Sequence, residues 1–195
     1  MPSAASTTRA RILDAAVDLL ARGGAGALTV RAVATAAGCS TIGVYTHFGG
    51  KPGLVEAILL DAYEQLDAAA AAVDDVADPR ERLVAGAHAY RDWALAHRTH
   101  YLLMFSPIVP AVGPLPAVEE RGARSYAAHR ARVDAAVAAG VIDDDDVDAS
   151  AFHLWTSVHG AVGIEILGSP PADPDRARTR FAHGVEALLR GLAPA

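Results

Sequence analysis

The chain contains a single cysteine, Cys39, and a single lysine, Lys51, among 195 residues. One cysteine closes no internal disulfide, which excludes a small stapled scaffold and suits a reducing compartment. No apolar run reaches 18 residues, so no membrane span is expected. The opening MPSAASTTRA lacks the apolar centre of a secretory signal, and a cytoplasmic protein is expected. No segment alternates apolar and polar residues with period two, which removes the usual strand signal. No internal repeat is visible.

Catalytic and metal-binding patterns are also missing. Histidines 88, 97, 100, 129, 153 and 159 are scattered, and only His88 and Asp92 share a helical face at i, i+4. Without a His-Glu-x-x-His or Cys/His cluster, neither a metal nor another cofactor is expected. Gly-Cys-Ser-Thr-Ile-Gly around Ser40 is one residue too long for a nucleophile elbow, and no strand precedes it. The acidic run Asp143–Asp146 lacks the alternation and the glycine of a calcium loop, and reads as the start of a helix. An enzyme is therefore not expected.

What is present is helical. Ile12, Ala16, Leu19 and Leu20 mark an amphipathic helix from Arg9 to Arg22, ended by Gly23-Gly24, after eight small or polar residues expected to lack order. Pro52 and Pro79 open later helices, where a missing N–H costs nothing. Ser106 to Pro116 holds four prolines and reads as a loop or lid. Helices are expected over 117–139, 147–167 and 175–192. The fold class is all-α, with about nine helices.

Between Leu28 and Lys51 lies LTVRAVATAAGCSTIGVYTHFGGK. Thr29 and Ser40 are placed to cap two short helices, each hydroxyl accepting an orphan backbone N–H. Gly38 supplies the turn between them. Val33, Ala34 and Ala37 on the first helix, and Val44 and Phe48 on the second, recur at the spacing of an inward face. The outline is that of a helix-turn-helix, whose second helix lies in the DNA major groove. Charge is divided to match. Residues 1–52 carry Arg9, Arg11, Arg22, Arg31 and Lys51 against Asp14 and Asp18, a balance of +3. Residues 53–195 carry a balance of −9, which brings the whole chain to −6 and keeps that part off phosphates.

The longer string is more specific. Thr-Val-Arg-x-Val-Ala-x-x-Ala-Gly, then Ser-x-x-x-Val-Tyr-x-His-Phe, a two-residue turn and Lys51 together resemble the DNA-binding domain of the tetracycline-repressor (TetR) family of bacterial transcription regulators. The resemblance covers roughly the first quarter of the chain. It implies a three-helix DNA-binding domain over 1–52 and a helical ligand-binding and dimerisation domain over 53–195. It implies that Arg31, Thr41, Ile42, Gly43 and Thr46 face base edges, and that Thr29, Ser40, Tyr45, His47 and Lys51 hold phosphates. The partners it implies are a near-palindromic double-stranded operator, a second copy of the chain and a small-molecule effector that releases a repressor. A small-molecule-binding helical protein without DNA binding is the alternative.

The body gives weaker signals. Phe152, Trp155, His159, Val162 and Ile166 form one helical stripe beside the small residues Gly160, Ala161 and Gly163. With Phe181, Val185, Leu188 and Leu189 they are expected to build a dimer interface. Trp155 to Gly160 also resembles a subfamily named for Trp, His and Gly. Tyr90, Trp93, Tyr101, Met104, Phe105, Tyr126 and His129 are the expected lining of an effector pocket.

Overall fold

The structure is a computed structural model that describes residues 4–105, 112–143, 146–168 and 173–194, with side chains from residue 7 onward. Its order is α1 (Ala4–Ala27), α2 (Val30–Ala36), α3 (Thr41–Phe48), α4 (Lys51–Ala71), α5 (Pro79–Ala96), α6 (Arg98–Phe105), α7 (Pro116–Ala138), α8 (Val147–Leu167) and α9 (Pro174–Gly191). Among the described residues there are nine helices and no strand. The fold is all-α. The expected lid falls partly on residues 106–111, and the acidic run partly on residues 144–145; both stretches lie outside the described residues. Two helix ends differ from expectation. α1 starts at Ala4 and not at Arg9, because nothing between them interrupts a helix. It continues to Ala27, but Gly24 breaks its backbone with φ 63° and ψ −165°, a conformation open to glycine.

The chain forms two compact units, residues 1–64 with 97–121, and residues 65–96 with 122–195. In the first, Ile12, Ala16 and Leu20 of α1 meet Leu28, Val33 and Ala34, then Val44 and Phe48 of α3. Leu54, Val55, Ile58 and Leu59 of α4 and Leu103 of α6 complete this core. That packing carries the first unit beyond Pro52, where the sequence division was drawn, since the opening turns of α4 bury their apolar stripe against α1–α3.

In the second unit α5 packs against α8 and α9, which also touch each other. Leu83 and Ala87 of α5, Leu154, Val162 and Ile166 of α8, and Phe181, Val185 and Leu189 of α9 are buried. Polar links tie these helices. Arg91 of α5 makes a bidentate pair with Glu165 of α8, Nε to Oε2 at 2.9 Å and Nη2 to Oε1 at 2.5 Å. Asp92 receives Arg178 of α9 at 2.9 Å, and Arg80 pairs with Glu186. Asp146 and Asp173 cap α8 and α9, accepting from the backbone N–H of Ala149 and Arg176, both at 2.9 Å.

Candidate functional site

Local chemistry builds the helix-turn-helix. The Thr29 hydroxyl accepts the Ala32 N–H and the Ser40 hydroxyl accepts the Gly43 N–H, both at 3.1 Å. At the end of α2, Cys39 N–H reaches back to Ala34 O at 2.9 Å and Gly38 N–H to Thr35 O at 3.2 Å. That pair of bonds is a Schellman closure, and it needs the left-handed φ of 62° that Gly38 adopts. α3 ends similarly on Gly49, with φ 68° and its N–H on Tyr45 O at 2.8 Å.

The exposed side of α3 is small and uncharged. Val44 and Phe48 are buried, whereas Ile42 is 75% exposed and Tyr45 57% exposed. Thr41 and Thr46 share that outward face, and Gly43 is half-buried. The Thr46 hydroxyl donates to Ile42 O at 2.9 Å, which turns its methyl outward as the free group. Arg31 is exposed on α2. One edge of the Tyr45 ring lies over the backbone at Gly50, fixing the ring beside the turn that opens α4. His47 is half-buried. The Lys51 ammonium donates to Ala25 O at 3.3 Å, a contact that ties α4 to the end of α1.

The seven expected lining residues do not gather. Tyr101, Met104 and Phe105 belong to the first unit, where Tyr101 is buried and Met104 packs on the helix-turn-helix core. Tyr90, Trp93, Tyr126 and His129 belong to the second. There Tyr90 and His159 share a 2.8 Å hydrogen bond between the phenol and Nδ1. Trp155 stacks on His159 at 5.5 Å and meets the Tyr126 ring edge-on at 5.9 Å. Tyr126 lies 6.0 Å from His129, whose Nε2 bonds Ala151 O at 2.9 Å. Burial pushes the pKa of both His129 and His159 below the usual histidine value, which favours the neutral rings. A neutral His129 must carry its proton on Nε2 to donate to the carbonyl.

This arrangement corrects the expected dimer face. Trp155 and His159 join the aromatic cluster. Val162, Ile166, Phe181 and Val185 are at most 7% exposed within the single chain, so they serve its own core. Leu188 is half-buried and Phe152 is 51% exposed. The apolar stripe is real, but α5 and the facing side of α9 already cover most of it. The open side of α8 is instead Ser157, Gly160, Ala161, Ile164 and Leu167, with Ile164 78% exposed and Leu167 73% exposed. Beside it runs a groove of about 850 Å³ lined by Ala161, Ile164, Arg176, Arg180, Gly184 and Leu188, among others. Sequence reasoning missed Ile164 because α8 is apolar on more than one side.

Among the described residues, no group of three or more His, Cys, Asp or Glu side chains could hold a metal. Nor is any helix there long and apolar enough to cross a membrane.

Comparison with known proteins agrees with this geometry at both ends of the chain. Residues 12–58 match the model of bacterial regulatory proteins of the tetR family. Residues 83–188 match that of the tetracyclin repressor-like C-terminal domain. An HTH-type transcriptional regulator of Mycobacterium tuberculosis, Rv1816, is 28% identical over 193 residues, covering 84% of this chain and 82% of its own. Among solved structures, a protein of unknown function from Rhodococcus sp. RHA1 superposes with a TM-score of 0.82 at 27% identity, covering 96% of each chain. PfmR of Thermus thermophilus, a TetR family transcriptional regulator, superposes with a TM-score of 0.74 at 26% identity, covering 94% of this chain and all of that one.

Proposed function

Because the chain belongs to the tetracycline-repressor family, and so is a DNA-binding transcription regulator, we propose that it acts as a cytoplasmic, homodimeric repressor. A small molecule held in the second unit releases it from a near-palindromic operator. The observation that carries the reading of DNA is the outward strip of α3. Thr41, Ile42, Tyr45 and Thr46 stand clear of the core on a helix fixed by a serine cap and a glycine stop. Methyl groups of Ile42 and Thr46 suit thymine methyls, and Arg31 has the planar fork that reads guanine. Thr29, Ser40, Tyr45, His47 and Lys51 supply phosphate contacts around them.

Operator selection from random duplexes, followed by binding isotherms at several salt concentrations, tests this division of roles. Lys51→Ala is expected to weaken every duplex alike and to reduce the salt slope by about 0.9. Arg31→Ala should instead relax preference at one base position, by about 1–3 kcal/mol of discrimination. Selection that enriches no sequence, together with absence of binding at low salt, would leave only a small-molecule-binding helical protein.

A head with so few cations needs a second head at high effective concentration. We assign the joining surface to Gly160, Ala161, Ile164 and Leu167 of α8 with Arg180, Gly184 and Leu188 of α9. A two-fold axis there would let each copy present Ile164 to the other's groove. Ile164→Glu is expected to yield monomers in sedimentation and to lower operator affinity on the order of 100-fold. A dimer unaffected by that change would move the interface elsewhere. For the effector we favour the neighbourhood of Tyr90 and His159, where aromatic faces surround a hydrogen-bonded polar pair. Release requires the effector to prefer the state whose heads no longer match successive grooves.

A further inference from the structure

Arg11 reads from the sequence as one more surface cation of α1. Its guanidinium instead reaches across 26 residues, and Nη2 donates to Ala37 O at 3.0 Å. Ala37 is the C-cap of α2, and its own N–H is already turned inward to Val33 O and Thr35 O. The following two N–H groups close the turn on Thr35 O and Ala34 O. Arg11 therefore satisfies a carbonyl at the negative end of α2. Ala37 sits one residue before the glycine that swings the chain into α3.

We propose that Arg11 is a positioning residue for DNA reading. It holds the α2–α3 turn against α1, so that the Ile42–Thr46 face meets the groove at a fixed angle, without contacting DNA itself. The inference rests on the DNA-binding reading. It differs from the alternative that basic residues of the head suggest, a phosphate contact, in what salt should do. A side chain that neutralises a phosphate contributes to counterion release, whereas one that orients the reading helix does not.

The test compares wild type, Arg11→Ala and Arg11→Lys on the selected operator and on a random duplex over a range of salt. Circular dichroism confirms the folded state of each variant at the assay temperature. Arg11→Ala is expected to lower operator affinity roughly tenfold, the scale of one charge-assisted bond. It should lower random-duplex affinity less and leave the salt slope unchanged. Arg11→Lys keeps the charge but offers a point donor in place of the fork, and should fall between the two. If Arg11→Ala does not stay folded, that intermediate affinity at unchanged slope carries the test. A slope reduced by about 0.9 with both duplexes weakened alike would make Arg11 a phosphate contact and overturn the proposal. Wild-type affinity in Arg11→Lys or in Arg11→Ala would overturn it too. Failure of the wild type itself to bind any duplex would sink the DNA reading and not this inference alone.

Discussion

Gly53→Ala is expected to abolish operator binding and to destabilise the N-terminal unit severely. A β-carbon at this position would lie 1.8 Å from Phe48 O and 2.9 Å from its carbonyl carbon. Both obstacles are backbone, so no side-chain rotation relieves them. Either α4 must slide away from the end of α3, or α3 must shift with its reading face. Leu54 and Val55 follow immediately and are 0% and 1% exposed, so displacement also opens the core of the head. Overpacking commonly costs about 1–3 kcal/mol, and a clash this deep belongs at or above the top of that range. Gly26→Ala is the natural control, since nothing lies within 4 Å of a β-carbon there. It should be neutral or slightly stabilising. Thermal melts and fluorescence anisotropy on the selected operator check both variants. A Gly53→Ala protein that binds within a few-fold of wild type would refute the close approach of α3 to α4.

Glu165→Ala should produce the second large loss, this time in the other unit. The paired side chains of Arg91 and Glu165 are only 5% and 12% exposed. The Arg91 guanidinium also stands over the Phe181 ring, 5.5 Å from its centroid. Deleting the carboxylate strands a buried charge, with only Asp92 at 3.5 Å to offset it. Such removals cost about 3–5 kcal/mol, against a total stability on the order of 5–15 kcal/mol for a whole domain. A melting temperature lower by roughly 10 °C is expected. Arg91→Met combined with Glu165→Leu should recover most of the loss, because the double replacement removes the need to desolvate either charge. If Glu165→Ala melts with wild type, the pair is not sealed from solvent.

These two sites also mark where sequence reading stops. Thr29, Ser40 and Gly38 announce the helix-turn-helix because capping and left-handed turns depend on residues within four positions of each other. The first unit's core is legible for the same reason, as period-3.6 stripes on short helices. Arg91 and Glu165 are 74 residues apart, and no local pattern pairs them. On α8, Val162 and Ile164 are both large and apolar, yet one is 0% and the other 78% exposed. Periodicity finds such residues but does not say which side a neighbouring helix of the same chain will claim. That ambiguity misplaces Trp155 and His159. Arg11 and Gly53 leave no signal at all, since each acts through a backbone carbonyl that only the folded chain brings near.

Thr46 spends its hydroxyl on its own helix, and Ile42 beside it has no polar atom to offer. A surface of this kind senses bumps of hydrocarbon and not the order of donors and acceptors. Within the major groove the hydrocarbon bump of thymine is a single methyl on C5, and 5-methylcytosine carries the same group at the same place. Where these two side chains touch the bases, the protein would therefore have little means of distinguishing thymine from methylated cytosine.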